Sequence, residues 1–216
     1  MTHIYLLPHA GKYLLVDAGM KQHVKEFFSY LLKKNIEPSR ITHVLLTHTH
    51  YDHTGALSHI LELTHSKVLV HKDEADSLAK GYTPAPYGTR LSTKVISFLG
   101  RKIFPAYSKY DPVEADLLWE EGSSLPWDHP VRLIHTPGHT EGSISVIWRD
   151  RDAFVGDTLF GYEKDDCLPW FANDLNHLAQ SWEKLLDTGC ETFYPAHGRP
   201  VKRELLAHAY QRHFGS

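Results

Sequence analysis

Apolar positions along this chain follow two periods, and the switches between them outline its elements. Residues 4–7 and 13–17 carry short apolar runs on either side of Ala10-Gly11, which predicts a hairpin. Val24, Phe27, Phe28, Leu31 and Leu32 recur at three- and four-residue spacing, which predicts a helix over about 22–34 that ends before Pro38. A strand is expected at 42–46, a helix at 54–63, a strand at 67–70 and a helix from about 72. After a weakly periodic middle come strands at 132–134, 143–148 and 153–155. A helix at about 175–187, a strand at 192–194 and a helix from about 202 complete the pattern. Two successive halves, each strands then helix without a linker-like break, predict one α+β domain over residues 1–216. The architecture expected is a four-layer αββα sandwich of two sheets covered by helices.

Candidate chemistry is concentrated where the strand at 42–46 ends. His48, His50, Asp52 and His53 form the pattern H-x-H-x-D-H directly after Val44-Leu45-Leu46. Imidazole nitrogen and carboxylate oxygen are donors suited to zinc and related divalent metals. The chain holds 17 histidines, yet this spacing is rare even in so rich a sequence. Three further candidates each close an apolar run beside a glycine or proline: His139 in Pro137-Gly138-His139-Thr140, Asp157 in Val155-Gly156-Asp157-Thr158, and His197 in Pro195-Ala196-His197-Gly198. Glycine at such places lets the backbone turn sharply and come close to a ligand.

H-x-H-x-D-H, then P-G-H-T-x-G, G-D-T-L-F and a late A-H-G resemble the metallo-β-lactamase fold hydrolases, from about residue 4 to about 201. The resemblance implies two divalent metal ions, with zinc foremost and iron or manganese as alternatives. His48, His50 and His139 would hold one ion, Asp52, His53 and His197 the other, and Asp157 would bridge them. It also implies attack by a metal-held hydroxide on an ester, thioester or lactone carbonyl, with Asp52 orienting the nucleophile or passing a proton on. Phosphodiester hydrolysis and iron-dependent sulfur oxidation are the alternatives the same ligand set leaves open. Tyr5-Leu6-Leu7 looks like the family's second strand, so its first is expected to be missing or truncated.

Departures from individual branches narrow the reading. A bridging aspartate is foreign to the β-lactamases proper, so antibiotic hydrolysis is not expected. The G-R-x-D segment usual in glyoxalase II is replaced by Gly161-Tyr162-Glu163-Lys164-Asp165. Lactonases of acyl-homoserine lactones place a tyrosine where Phe160 stands, with Tyr162 two positions on.

Residues 81–119 read as a substrate-facing insertion rich in aromatics. Tyr87 and Tyr107, with Phe160 and Tyr162, are candidate substrate contacts. Leu91, Val95, Phe98 and Leu99 fit the buried face of a helix. Asp17 either orients a ligand imidazole or closes an ordinary strand-end turn, and Thr140 either supports His139 or caps a turn. His43, His65, His71, His135 and His177 are read as structural or exposed. A net charge of −3 gives no overall footprint for nucleic acid or an anionic membrane. A small-molecule substrate is therefore the expected partner, with no nucleic acid or membrane, and oligomeric state stays open. Two cysteines without C-x-x-C spacing, no signal-like start and no apolar run of ~20 residues lead to the cytoplasm as the expected location.

Overall fold

The computed structural model describes residues 2–103, 108–125 and 130–215. They form two compact units, one of residues 2–84 and 108–125, the other of 85–103 and 130–215. Segment 81–119 is thus divided between the two, and candidate Tyr107 lies outside the described residues.

The first unit is a five-stranded sheet in sequence order, β1 (Tyr5–His9), β2 (Lys12–Val16), β3 (Ile41–Leu45), β4 (Lys67–His71) and β5 (Leu117–Trp119). β1 and β2 form the expected hairpin, turned by Ala10 and Gly11 at φ 45° and 79°, the positive values a two-residue turn requires. From β2 onward the strands are parallel. Each step therefore needs a crossover, supplied by helices α1 (Val24–Lys33), α3 (Leu57–Thr64) and α4 (Lys72–Lys80). Leu15, Val44, Leu46, Val68 and Val70 cluster with Leu31, Ile60 and Leu78 of those helices. Leu14, Leu45 and Leu69, on the alternate positions, are buried too. This explains why these strands read as unbroken apolar runs.

The second unit has β6 (Val131–His135), β7 (Ile144–Trp148), β8 (Asp152–Gly156), β9 (Thr192–Pro195) and β10 (Val201–Lys202), in the order β10-β9-β8-β7-β6. Helix α6 (Leu175–Asp187) begins at Asp174, whose carboxylate accepts from the Asn176 and His177 amides at 2.8 and 2.9 Å. α6 and α7 (Arg203–His213) contribute Leu178, Trp182, Leu185, Leu206 and Ala209 to a cluster with Ile134, Ile147, Val155 and Phe193. Trp182 is fully buried, and its indole N–H donates to the Thr158 carbonyl at 2.8 Å.

Two expectations need correction, and two short strands carry no sequence signal. The helix expected at 54–63 is two pieces, α2 (Tyr51–Thr54) and α3, because the Ala56 amide leaves the helical ladder and donates to Gly19 O at 2.9 Å. Strands β5 and β10, three and two residues long, carry too short a pattern to register. Helix α5 (Leu91–Ile103) does form, but Leu91, Val95, Phe98 and Leu99 are 83, 54, 57 and 41 % exposed, not buried. Its buried side is hydroxylic. Thr93 Oγ1 closes a turn with Arg90, and Ser97 donates to Pro86 O at 2.5 Å. Gly88 packs so tightly that a Cβ there would sit 2.1 Å from the Thr93 carbonyl carbon. Hydrogen bonds and close backbone approach set this helix's rotation.

Asp166 links a loop to the last helix. Its carboxylate accepts from the Cys167 and Leu168 amides at 2.7 and 3.1 Å and lies 3.0 Å from His213 Nε2. Burial pushes this carboxyl up, but the Leu168 amide, His213 and the Cys167 amide outweigh it and hold its pKa below the usual carboxylate value. A depressed native pKa gives stability that is full above the unfolded pKa and is lost as pH falls through the native one. Asp166→Asn should melt about 2–4 °C lower at pH 7, the shift for ~1 kcal/mol in a chain of this size. In thermal melts that gap should shrink as pH drops below 4, and a constant gap would show that ionisation is not its source.

Candidate metal centre

In the first unit the candidate ligands follow the carboxyl ends of parallel strands, where loops of such sheets gather function. Asp17 directly follows β2 and is buried at φ +61°. Its Oδ1 accepts from the Thr47 amide at 2.7 Å, Thr47 Oγ1 lies 2.9 Å from Oδ2, and His53 Nδ1 is 2.9 Å from Oδ2. Asp17 thus both closes the strand end and orients a candidate ligand. Thr47–His53 follow β3, and Glu74 stands in the first turn of α4, after β4. Buried Glu74 accepts from the Thr49 amide at 3.0 Å and from the Thr49 hydroxyl, which clamps the loop between His48 and His50. His50 Nε2 is 3.1 Å from Pro84 O, and His48 Nδ1 is 3.2 Å from Thr47 Oγ1. The His48 ring centroid lies 4.7 Å from that of His50 and 3.9 Å from that of His53. Asp52 is partly exposed and accepts from the Thr2 hydroxyl at 2.8 Å.

The second unit repeats this logic with different strands. β6 and β8 are each antiparallel to β7, and β9 is parallel to β8. All three therefore run the same way, and their carboxyl ends share one edge. His139 follows β6, Asp157 follows β8, and His197 follows β9. One carboxylate oxygen of Asp157 lies 3.4 Å from His139 Nε2 and the other 3.4 Å from His197 Nε2. His139 Nδ1 is 2.9 Å from Phe171 O. Phe160 packs edge-on to His197 with centroids 4.9 Å apart, and the Tyr162 hydroxyl is 3.5 Å from His197 Nδ1. Trp170 leans on Tyr162 and donates to Glu163, which pairs with Arg90.

Within each unit, the structure brings together the residues singled out from sequence: His48, His50, Asp52 and His53 in one, His139, Asp157 and His197 in the other. Phe160 and Tyr162 stand beside His197. Tyr87 is largely exposed, and its carbonyl accepts from the Ala172 amide, next in chain to the Phe171 that holds His139. Thr140 bonds to Ser143 and belongs to its own turn. His71 caps α4, accepting from the Asp73 amide. Glu74, Pro84 O and Phe171 O escaped the sequence reading. A buried acid one turn past a strand leaves only the faint signal of an acidic residue in a helix's first turn, and backbone carbonyls leave none.

The donor set fits a metal. A carbonyl or carboxylate facing one ring nitrogen accepts a hydrogen bond from its N–H and keeps the proton there, so the other nitrogen presents a lone pair. By this rule His53 and His139 present Nε2, while His50 presents Nδ1. The two 3.4 Å separations at Asp157 are long for hydrogen bonds. They match two ligands of one tetrahedral ion, whose donors stand about 3.3 Å apart at zinc bond lengths of ~2.0–2.1 Å.

Each unit thus gathers imidazoles and a carboxylate at the ends of its own strands. The sequence profile of the metallo-β-lactamase superfamily matches residues 1–197, and the chain belongs to that superfamily. It is 29 % identical over 210 residues to the probable metallo-hydrolase YflN of Bacillus subtilis, covering 90 % of this chain and 77 % of that one. It is 26 % identical over 203 residues to an atrochrysone carboxyl ACP thioesterase of Aspergillus fumigatus, covering 93 % of this chain but 52 % of the thioesterase. The chain thus spans about half the length of that relative. Among solved structures it resembles the BLEG-1 B3 metallo-β-lactamase, with a TM-score of 0.73 at 22 % identity over 98 % of this chain and 92 % of that one. Its likeness to ST1585 of Sulfolobus tokodaii gives a TM-score of 0.70 at 21 % identity, over 98 % and 79 % of the two chains. The fold read from sequence is thus the fold these structures share.

The His197 loop depends on two glycines. Gly161 N donates to His197 O at 2.8 Å, and Arg199 N donates to Gly161 O at 2.9 Å. A Cβ on Gly161 would sit 1.8 Å from the Arg199 carbonyl oxygen, so the two backbones would have to part. Gly161→Ala should cost about 1–3 kcal/mol of stability and displace His197, measured by denaturant unfolding. An unchanged midpoint would contradict this account of the loop.

Proposed function

We propose that the two ligand sets serve one binuclear centre that hydrolyses an ester, thioester or lactone. His48, His50 and His139 would hold one divalent ion, Asp52, His53 and His197 the other, with Asp157 shared between them. The observation that carries this reading is Asp157, whose two oxygens each stand 3.4 Å from a different imidazole. All seven residues also lie inside the span matched by the superfamily profile. Zinc suits these donors best, and iron or manganese are compatible with them.

Bound there, divalent ions supply a Lewis acid for the substrate carbonyl and a water ionised near neutral pH. The chain's own groups do the rest. Asp17, the Phe171 carbonyl and the Pro84 carbonyl fix the rings of His53, His139 and His50. Asp52, partly exposed and held by Thr2, accepts a proton from the attacking water and can return it to the leaving group. Phe160, Tyr162 and Tyr87 are proposed to flank the substrate, with Tyr162 positioned by Trp170. The carbonyl preference is supported by relatives named as thioesterases. No helix among the described residues is long and apolar enough to cross a membrane. The two cysteines are buried free thiols, which fits a reducing cytoplasm.

Replacing His48 or His197 with alanine should leave circular dichroism unchanged while metal content and hydrolysis collapse, the latter by about 100-fold or more. His71→Ala and His177→Ala should not touch turnover. Equal damage from these controls would show that the division among histidines is wrong. Asp17→Ala should weaken metal retention against a chelator by about 10–100-fold, as loss of such orienting groups does. Substrate class is decided by kcat/KM at fixed metal loading across esters, thioesters, lactones and phosphodiesters. A phosphodiester leading by tenfold, about 1.4 kcal/mol in transition-state binding, overturns the carbonyl assignment.

A further inference from the structure

Helix α5 is inverted relative to a soluble helix over residues 91–99, since it buries Thr93 and Ser97 and presents Leu91, Val95, Ile96, Phe98 and Leu99 to solvent. Leu91 is 83 % exposed, and Val95, Ile96, Phe98 and Leu99 are each between 41 and 58 % exposed. At 100° per residue these five positions cover an arc of about 160°. Tyr87, 56 % exposed, extends the surface, and Arg101 lies over its ring at 4.3 Å from the centroid. Tyr87, Gly88, Lys94, Ser97, Phe98 and Arg101 enclose an open, mainly apolar groove of about 570 Å³.

Charge is segregated onto the same stretch. Between Asp76 and Asp111 the sequence holds six Lys and Arg residues and not one carboxylate, although its net charge is −3. Arg90 pairs with Glu163 and Asp166, which leaves Lys94 and Arg101 as the cations beside the apolar side chains of α5. The whole-chain charge, which gave no membrane footprint, averages this contrast away. Lys94 is exposed and borders the apolar side chains of α5.

From this conjunction we propose that α5 and Tyr87 form an interfacial surface that binds anionic phospholipid bilayers. An exposed apolar arc flanked by Lys94 and Arg101 is the pattern of a helix lying in the headgroup region, its apolar side in the acyl boundary and its cations among phosphates. A second copy fits worse, because a two-fold pairing of this face brings like-charged Lys94 and Arg101 neighbourhoods together. An acidic protein would satisfy the charge, but a wide arc of protruding side chains suits a deformable layer better than a rigid one. The surface would bring a hydrolase to amphiphilic substrates, although binding does not depend on catalysis.

The test uses the whole protein and sedimentation with vesicles. Equimolar phosphatidylglycerol and phosphatidylcholine should retain the protein, and phosphatidylcholine alone should retain at least fivefold less. Raising salt to 0.5 M, where charges are screened within a few ångströms, should release most of it. Phe98→Asp and Lys94→Glu, both at exposed positions and checked by circular dichroism, should each cut binding to the mixed vesicles at least fivefold. Three results overturn the proposal: no retention by mixed vesicles, equal retention by both kinds, or retention unaffected by either variant. Light scattering runs alongside, and a dimer that Phe98→Asp dissociates overturns it in favour of a second copy. Binding to immobilised polyglutamate without vesicle binding overturns it in favour of an acidic protein.

Discussion

The Asp17 carboxylate is the interaction from which the first half of the candidate centre hangs. A buried carboxylate is costly unless its lone pairs are taken up by donors. Here the Thr47 amide, the Thr47 hydroxyl and the His53 ring supply them. The backbone assists from the other side, with Asp17 N donating to Leu45 O at 2.8 Å, and Ala18 N and Gly19 N both donating to His53 O. The ends of β2 and β3 are thus tied to each other and to α2 by hydrogen bonds that involve no metal. The left-handed φ at Asp17 is one that aspartate tolerates better than most residues.

In the second half the main chain carries much of the placement. Its three candidate ligands are placed by strand direction, by the Phe171 carbonyl, and by backbone pairing of Gly161 with Gly198. Gly138 shows the same economy. At φ +133° it packs so closely on α6 that a Cβ would fall 2.6 Å from the Leu178 amide nitrogen, and its carbonyl accepts from the Asn173 and Asp174 amides. In the first half a side-chain carboxylate ties the strand ends together, and in the second close main-chain approach at Gly138 and Gly161 does much of that work.

This difference explains what could be read from the chain and what could not. The candidate ligands stood out because metal chemistry restricts donors to a few residue types, and strand ends bring these residues into short motifs. The helices α1 and α6 were legible because a single apolar stripe decides their rotation, as at Val24, Phe27, Leu31 and Leu178, Trp182, Leu185. α5 was legible as a helix but misread in orientation. Its rotation follows Thr93, Ser97 and Gly88, and apolar spacing carries no information about hydroxyl bonds to a neighbouring loop. Glu74 was missed for a similar reason, since its partner Thr49 is 25 residues away and nothing local marks the pairing.

The carbonyl partners of His50 and His139 have a consequence for what could replace those rings. Pro84 O engages the far nitrogen of His50, whereas Phe171 O engages the near nitrogen of His139. The two rings therefore offer opposite corners to anything they bind. In amide isosteres, the polar end of asparagine reaches the near corner and that of glutamine the far one. Asparagine is then the closer mimic at position 50 and glutamine at position 139, so two histidines that look alike in the motif obey different rules of exchange.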